Sequence, residues 1–133
     1  MAHTTITLHL PFPPTVNMYY RHVGHKVLLS ANGRTYRKRI AEDVLVQWPR
    51  GVCQPLEGRL RLWVEVFPPD HRSRDLDNLC KSLQDALQHA CVFADDNQID
   101  DLRLLRRGSA GKPGSVRVMI AVMGTEAQET KEG

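Results

Sequence analysis

The sequence has little of what marks secreted, disulfide-stabilised or membrane proteins. Its 133 residues include three cysteines, an odd number without a C-x-x-C pair, which argues against a disulfide scaffold or a zinc ribbon. No apolar run approaches the roughly 20 residues that cross a membrane, and the first residues lack the charged and apolar regions of a signal peptide. We therefore expect a cytoplasmic protein without membrane contact.

Acidic residues are absent from the first 41 positions, which contain six lysines and arginines. The eight acids between positions 70 and 101 are all aspartates. A basic chain around a local aspartate cluster suits a protein that binds a polyanion and holds a metal ion at one point. A solvated charged surface would give the same counts, so the composition alone leaves both interpretations open.

Hydrophobic periodicity predicts one α/β domain whose mixed β-sheet packs against two main helices. We assign the domain to residues 1–124 and a disordered tail to residues 125–133, which have no periodicity. Ser30 is the predicted N-cap of the first main helix, which runs to about Trp48. The second main helix ends at about Ala90, and residues 15–24 are predicted to be a loop. The predicted strands are residues 4–10, 26–29, 59–67, 99–107 and 115–123, with residues 108–114 joining the last two as a hairpin.

The second main helix carries the most informative polar residues. Its apolar side chains recur at steps of three and four, which leaves Asp77 and Lys81 one turn apart on the polar face. Asp75 and Asp77 would diverge if both were helical, because two residues rotate a helix by about 200°. They can share a cation only if the chain is still extended at Asp75. The alternative is that both acids stabilise the helix start as a cap and a dipole partner.

A second acidic pair, Asp95 and Asp96, follows this helix. Neighbouring carboxylates repel unless a cation or bases compensate them, although such pairs are also common in solvated turns. Three or four carboxylates from two nearby segments would form a hard oxygen site suited to Mg²⁺ or Mn²⁺. We therefore predict a metal site built from Asp75, Asp77 and Asp96, with Asp95 as a further candidate ligand.

Ordered motifs over most of the chain carry a family resemblance. Pro13-Pro14-Thr15, Asn17 and Tyr20-Arg21 come first. The central set is Arg74-Asp75-Leu76-Asp77-Asn78, Lys81, Asp85-Ala86-Leu87, Phe93-Ala94-Asp95-Asp96 and Gln98-Ile99. With these motifs the sequence resembles the RusA-type Holliday junction resolvases of bacteria and their prophages.

The resemblance implies a homodimer that binds four-way branched DNA and cuts two opposing strands symmetrically, leaving nicks that can be ligated. It also implies that Asp75, Asp77 and Asp96 are the essential carboxylates and Lys81 an essential base. One departure is Cys91, where the family pattern commonly has glycine after the helix. A side chain there disfavours a left-handed residue, so we expect the helix to end differently.

The hypothesis is metal-assisted hydrolysis of a DNA phosphodiester, with Lys81 either stabilising the developing negative charge or helping to orient the attacking water. Two alternatives remain: a DNA-binding module without catalysis, in which the aspartates are caps, and a magnesium-dependent nuclease acting on other branched DNA.

The exposed faces of the final hairpin are a candidate dimer interface. Aromatic residues that could wedge into a junction, but more commonly pack in a core, are Tyr19, Tyr20 and Phe93. The candidate phosphate-binding residues are Arg34, Arg37, Lys38, Arg72 and Arg74, with Arg39 in the same basic run.

Overall fold

The computed structural model describes residues 5–48, 54–109 and 111–123. The order of elements confirms an α/β domain with two long helices. The strands are β1 (Thr5–Pro11), β2 (Tyr20–Val23), β3 (Lys26–Leu29), β4 (Leu60–Phe67), β5 (Ile99–Arg106) and β6 (Ser115–Val122). The helices are α1 (Val16–Tyr19), α2 (Ala31–Gln47) and α3 (Leu76–His89), and a 3₁₀ turn spans Asp96–Gln98. The predicted tail, 125–133, lies outside the described residues.

The main sheet has four strands in the order β1-β6-β4-β5. β6 is antiparallel to both β1 and β4, whereas β4 and β5 are parallel. The prediction of a hairpin between the last two strands is therefore wrong, because β4 lies between them. The two strands differ in burial: β6 buries half of its residues, whereas β5 is an edge strand with exposed Leu102 and Leu105. A dimer interface on a β5–β6 hairpin, as the sequence suggested, has no counterpart in this topology.

The core lies between one face of the sheet and the two long helices. Alternate side chains of β4 point to this face, and Leu60, Leu62, Val64 and Val66 are all buried there. The amphipathic pattern of α3 is confirmed, since its Leu79, Leu83, Ala86 and Leu87 join the same core. The opposite face of β4 carries Trp63 and Glu65 among arginines.

The N-cap prediction for α2 is confirmed. The Ser30 hydroxyl accepts the backbone N–H of Gly33 at 2.9 Å, which satisfies one of the free donors at the helix start. Gly33 is required at this place because a Cβ would stand 2.3 Å from the carbonyl oxygen of Tyr19. The predicted loop over residues 15–24 is wrong in part, because it contains α1 and β2, and β2 pairs with β3 in a separate two-stranded sheet.

The end of α3 corrects the expectation for Cys91. This residue adopts φ +68, the left-handed conformation that glycine usually supplies. The N–H of Cys91 bonds to the carbonyl of Gln88, and the N–H of Val92 bonds to that of Leu87, each at 3.0 Å. These two bonds form a Schellman motif, with Val92 and Leu87 both buried. The helix thus ends in the left-handed manner in spite of the cysteine.

Within the described ranges, the structure contains no helix of sufficient length and apolar character to span a bilayer.

Candidate active site

The segment between β4 and α3 places two carboxylates at the start of the helix. Asp75 occupies the N-cap position with φ −83 and ψ 130, so the chain is extended there, as a shared site with Asp77 requires. The Asp75 side chain makes no capping hydrogen bond. The capping alternative is therefore not what this structure shows for Asp75, and its carboxylate is available to a ligand.

Asp77 lies in the first turn of α3, and Lys81 follows one turn later on the same exposed face. Over the described ranges, no hydrogen bond or ion pair involves the side chain of Asp75, Asp77 or Lys81. Asp77 and Lys81 thus lie one turn apart on one face of α3, and the exposed carboxylate of Asp75 comes directly before the helix. The positive end of the helix dipole, at the helix start, favours negative charge on Asp77.

The second acidic pair has a different environment. Asp95 accepts the N–H of Asn97 at 2.9 Å and forms a capping box with Gln98, so its carboxylate stabilises the 3₁₀ turn. The backbone N–H of Asp96 donates to Oε1 of Gln88 at 3.1 Å, which fastens the turn to the last part of α3. Partial burial, followed by the neighbouring carboxylates of Asp95 and Asp85, raises the pKa of Asp96 above its ordinary value.

The two acidic groups stand toward opposite ends of α3. Gln88, whose side chain accepts the Asp96 N–H, follows Asp77 by 11 residues in α3. At a rise of 1.5 Å per residue, the backbones of Asp77 and Gln88 are roughly 16 Å apart. Among the residues that the structure describes, no three Asp, Glu, His or Cys side chains are arranged to hold a metal ion together. Mg²⁺ is commonly bound by only one or two carboxylates, with water and substrate phosphate completing its shell. The Asp75–Asp77 pair fits that donor set.

The predicted phosphate-binding residues differ in side-chain exposure and in whether they form hydrogen bonds or ion pairs within the protein. Arg72 has an exposed side chain, 77% accessible, and Lys38 is also exposed. Arg34 is exposed and donates to the carbonyl of Leu29 at 3.1 Å. Arg74 is only 14% exposed and pairs with Asp70 at 2.8 Å.

Arg37 is turned inward and belongs to a network that the sequence did not reveal. Its guanidinium donates to Asp85 on α3 at 2.7 Å and to the Tyr19 hydroxyl at 3.0 Å, and Tyr19 in turn donates to Asp85. Burial and the hydrogen bond to Asp85 raise the pKa of Tyr19. The network joins α1, α2 and α3, and thereby fixes the helix that carries Asp77 and Lys81. Of this network, the sequence predicted only that Asp85 lies on the polar face of α3.

The aromatic residues follow the packing interpretation. Tyr19 and Phe93 are fully buried, and Tyr20 packs against the core. Cys80 is buried on the apolar side of α3, as its position in the helix pattern predicted, and Cys91 is exposed.

Comparisons with known proteins agree with these features. The family described as Endodeoxyribonuclease RusA matches residues 11–122. The crossover junction endodeoxyribonuclease rusA of Enterobacteria phage HK97 is 40% identical over 97 residues, which cover 73% of this chain and 78% of that protein. The crossover junction endodeoxyribonuclease RusA of Escherichia coli strain K12 is 37% identical over 123 residues, covering 92% of this chain and 98% of that protein. The chain therefore belongs to the RusA family of endodeoxyribonucleases.

A relative from Enterobacteria phage 82 with the same name is also 37% identical over 123 residues. Nucleases of this family are in general metal-dependent. Among solved structures, the periplasmic domain of Helicobacter pylori MotB aligns with a TM-score of 0.42 and 14% identity, covering 95% of this chain and 82% of that one. That likeness is too low to carry an argument about fold or function.

Proposed function

We propose that this protein is a magnesium-dependent endonuclease that resolves Holliday junctions by paired symmetric nicks. Family membership supports the nuclease activity, and the relatives are named for crossover junctions. The observation that carries the site assignment is the free carboxylate of Asp75, which stands in a cap position without capping. With cellular or phage DNA as its substrate, the enzyme would act in the cytoplasm.

Asp75 and Asp77 would hold Mg²⁺, or Mn²⁺ as a substitute; such an ion neutralises charge on the scissile phosphate and promotes attack by water. Lys81 projects from the same face and stabilises the negative charge that develops on the phosphate oxygens. Water attacks phosphorus and the bond to the 3′ oxygen breaks. The products are a 5′ phosphate and a 3′ hydroxyl, the pair of ends that ligation requires.

Asp96 needs a second copy of the chain in this scheme. Within one chain its backbone is hydrogen-bonded to Gln88 near the C-terminal end of α3, and among the described residues no third acid is arranged with Asp75 and Asp77 to hold an ion. A four-way junction has two-fold symmetry, and a C2 homodimer supplies two active sites for paired cutting. Asp96 of one protomer could then complete the metal site of the other. Asp95, as the cap of the same turn, positions Asp96 and is a candidate further ligand.

Incubation with a synthetic mobile four-way junction, with and without Mg²⁺, tests the activity when the cuts are mapped on a sequencing gel. We expect symmetric nicks that require the ion. A non-catalytic DNA-binding module would bind without nicking. A nuclease with another preference would cut a flap or a linear duplex in preference to the junction.

The Asp77→Asn variant tests the site. Loss of one carboxylate charge from the metal site should slow cleavage by roughly 100-fold or more, whereas junction binding in EDTA should persist. Asp43→Asn, the same chemical change on α2, is the control and should cut normally. Cleavage by Asp77→Asn at the wild-type rate would show that the metal site lies elsewhere, and a wild-type protein that never cuts would refute the activity itself.

A further inference from the structure

An arginine-lined cleft opens at the carboxyl ends of the parallel strands β4 and β5, next to the start of α3. We propose that this cleft binds the backbone phosphate that neighbours the scissile phosphate on the same DNA strand. The inference rests on the proposed nuclease function, and it joins the sequence-predicted Arg72 and Arg74 to Arg106 and Arg107, which the sequence did not single out. The cleft has a volume of about 250 Å³ and lies between residues 68–74 and residues 106–109; the lining residues that matter here are Asp70, Arg72, Arg74, Arg106, Arg107 and Ser109.

The charge of the cleft is unbalanced. Four arginines face a single aspartate, Asp70. Arg74 is engaged by Asp70, and Arg107 by Glu65 at 2.7 Å, with Arg117 on the same carboxylate. An anion entering the cleft therefore meets a positive field that the protein itself neutralises only in part.

Arg72 and Arg106 have the most free capacity for an anion. The Arg72 side chain is largely exposed, and its nearest approach to a carboxylate is 4.0 Å, to Asp70. The exposed Arg106 donates one N–H to the backbone carbonyl of Arg74. A guanidinium carries five N–H donors in a fork that matches phosphate oxygens, so most donors of Arg106 remain available.

The cleft is joined directly to the catalytic segment. The carbonyl that Arg106 holds belongs to Arg74, and the next residue is Asp75. Successive phosphates of one DNA strand are neighbours, with a rise of about 3.4 Å along the duplex axis. A strand whose scissile phosphate lies at Asp75 and Asp77 would therefore pass next to this cleft. In open α/β sheets, ligands commonly bind outside the carboxyl ends of parallel strands.

Replacing Asp70 should change the affinity for DNA in the direction opposite to that of replacing an arginine of the cleft. Its pKa is lowered to about 2 by hydrogen bonds from Arg74 and from the backbone of Arg72, so it is charged in neutral solution. It competes with an incoming phosphate for the arginines of the cleft. Replacing it by asparagine keeps an acceptor for the backbone bond but removes the competing charge.

The experiment measures the affinity of a fluorescently labelled four-way junction by anisotropy in EDTA, as the salt concentration is raised. Arg72→Ala and Arg106→Gln should each weaken binding by roughly three- to tenfold and reduce the slope of log affinity against log salt by about one. Asp70→Asn should tighten binding at the same salt concentration.

Arg103→Ala is the matched control, because it removes an arginine from the same strand as Arg106 but outside the cleft. Arg103 pairs with Asp101 and lies over the Trp63 ring at 4.3 Å. Its variant should keep the wild-type salt slope. If Arg72→Ala and Arg106→Gln behave like Arg103→Ala, the cleft does not bind DNA and the inference is overturned.

Thermal unfolding separates binding effects from folding effects. Arg106→Gln loses a bond to the chain and could disturb the segment, whereas the Arg72 side chain makes no hydrogen bond that its removal would break; Arg72→Ala is therefore decisive. Cleavage by the wild-type protein reports on the proposed function separately. If the cleft variants have a reduced slope of log affinity against log salt while the wild-type protein binds junctions but never cuts them, the proposed activity is refuted and phosphate binding in the cleft is supported. A wild-type protein that does not bind junctions would overturn both.

Discussion

The left-handed residue at the end of α3 provides a stability prediction with a defined magnitude. Cys91 holds φ +68, a conformation that costs a residue with a side chain roughly 1–2 kcal/mol. Glycine removes this cost but loses about 0.4–1 kcal/mol through the greater freedom of its unfolded chain. We expect Cys91→Gly to stabilise the protein by about 0.5–1 kcal/mol net, which raises the Tm by roughly 2–5 °C for a chain of this size.

Urea unfolding followed by circular dichroism measures the change, and Cys91→Ala provides the control. The Cys91 thiol is exposed, and within the described ranges its one hydrogen bond is donated to the carbonyl oxygen of His89 at 3.9 Å. Alanine keeps the Cβ that causes the strain, so Cys91→Ala should differ little from the wild type. Equal stability of the glycine and alanine variants would refute the strain argument. Stabilisation by both would assign the effect to the thiol.

Two further variants test the interactions around α3. Asp85→Asn removes the carboxylate charge that Arg37 and Tyr19 share. We expect the free energy of unfolding in urea to fall by about 1–3 kcal/mol and the pKa of Tyr19 to fall in an ultraviolet titration. If neither value changes, the hydrogen-bond network does not contribute as argued. Arg74→Ala should raise the pKa of Asp70 from about 2 towards its ordinary value, as measured by carbon NMR. Because the folded-state pKa is lowered, Asp70 stabilises the wild type above its unfolded pKa, and that contribution is lost as the pH falls towards 2. The variant should therefore lose less stability over this acidic range, and a pKa that stays near 2 would assign the shift to another partner.

The local elements of this protein were predictable because their determinants lie within a few residues. Alternating apolar residues predicted β1 and β4, and Ser30 marked the start of α2. The three-and-four spacing along α3 predicted which side is buried. The sequence also showed that a site shared by Asp75 and Asp77 requires an extended chain at Asp75, and the structure meets this condition. The motif set around Asp75, Asp77 and Lys81 was sufficient to identify the family.

What the sequence alone determined is therefore the identity of the elements, the family and the carboxylates near the start of α3. Tertiary structure decided that β4 separates β5 from β6, that Arg37 turns inward to Asp85, and that Asp96 is fastened to the far end of α3. It also assembled the arginine cleft from two distant segments. The physical reason is that hydrophobic periodicity specifies which face of an element is buried, whereas strand order and ion pairing depend on contacts between residues far apart in the chain.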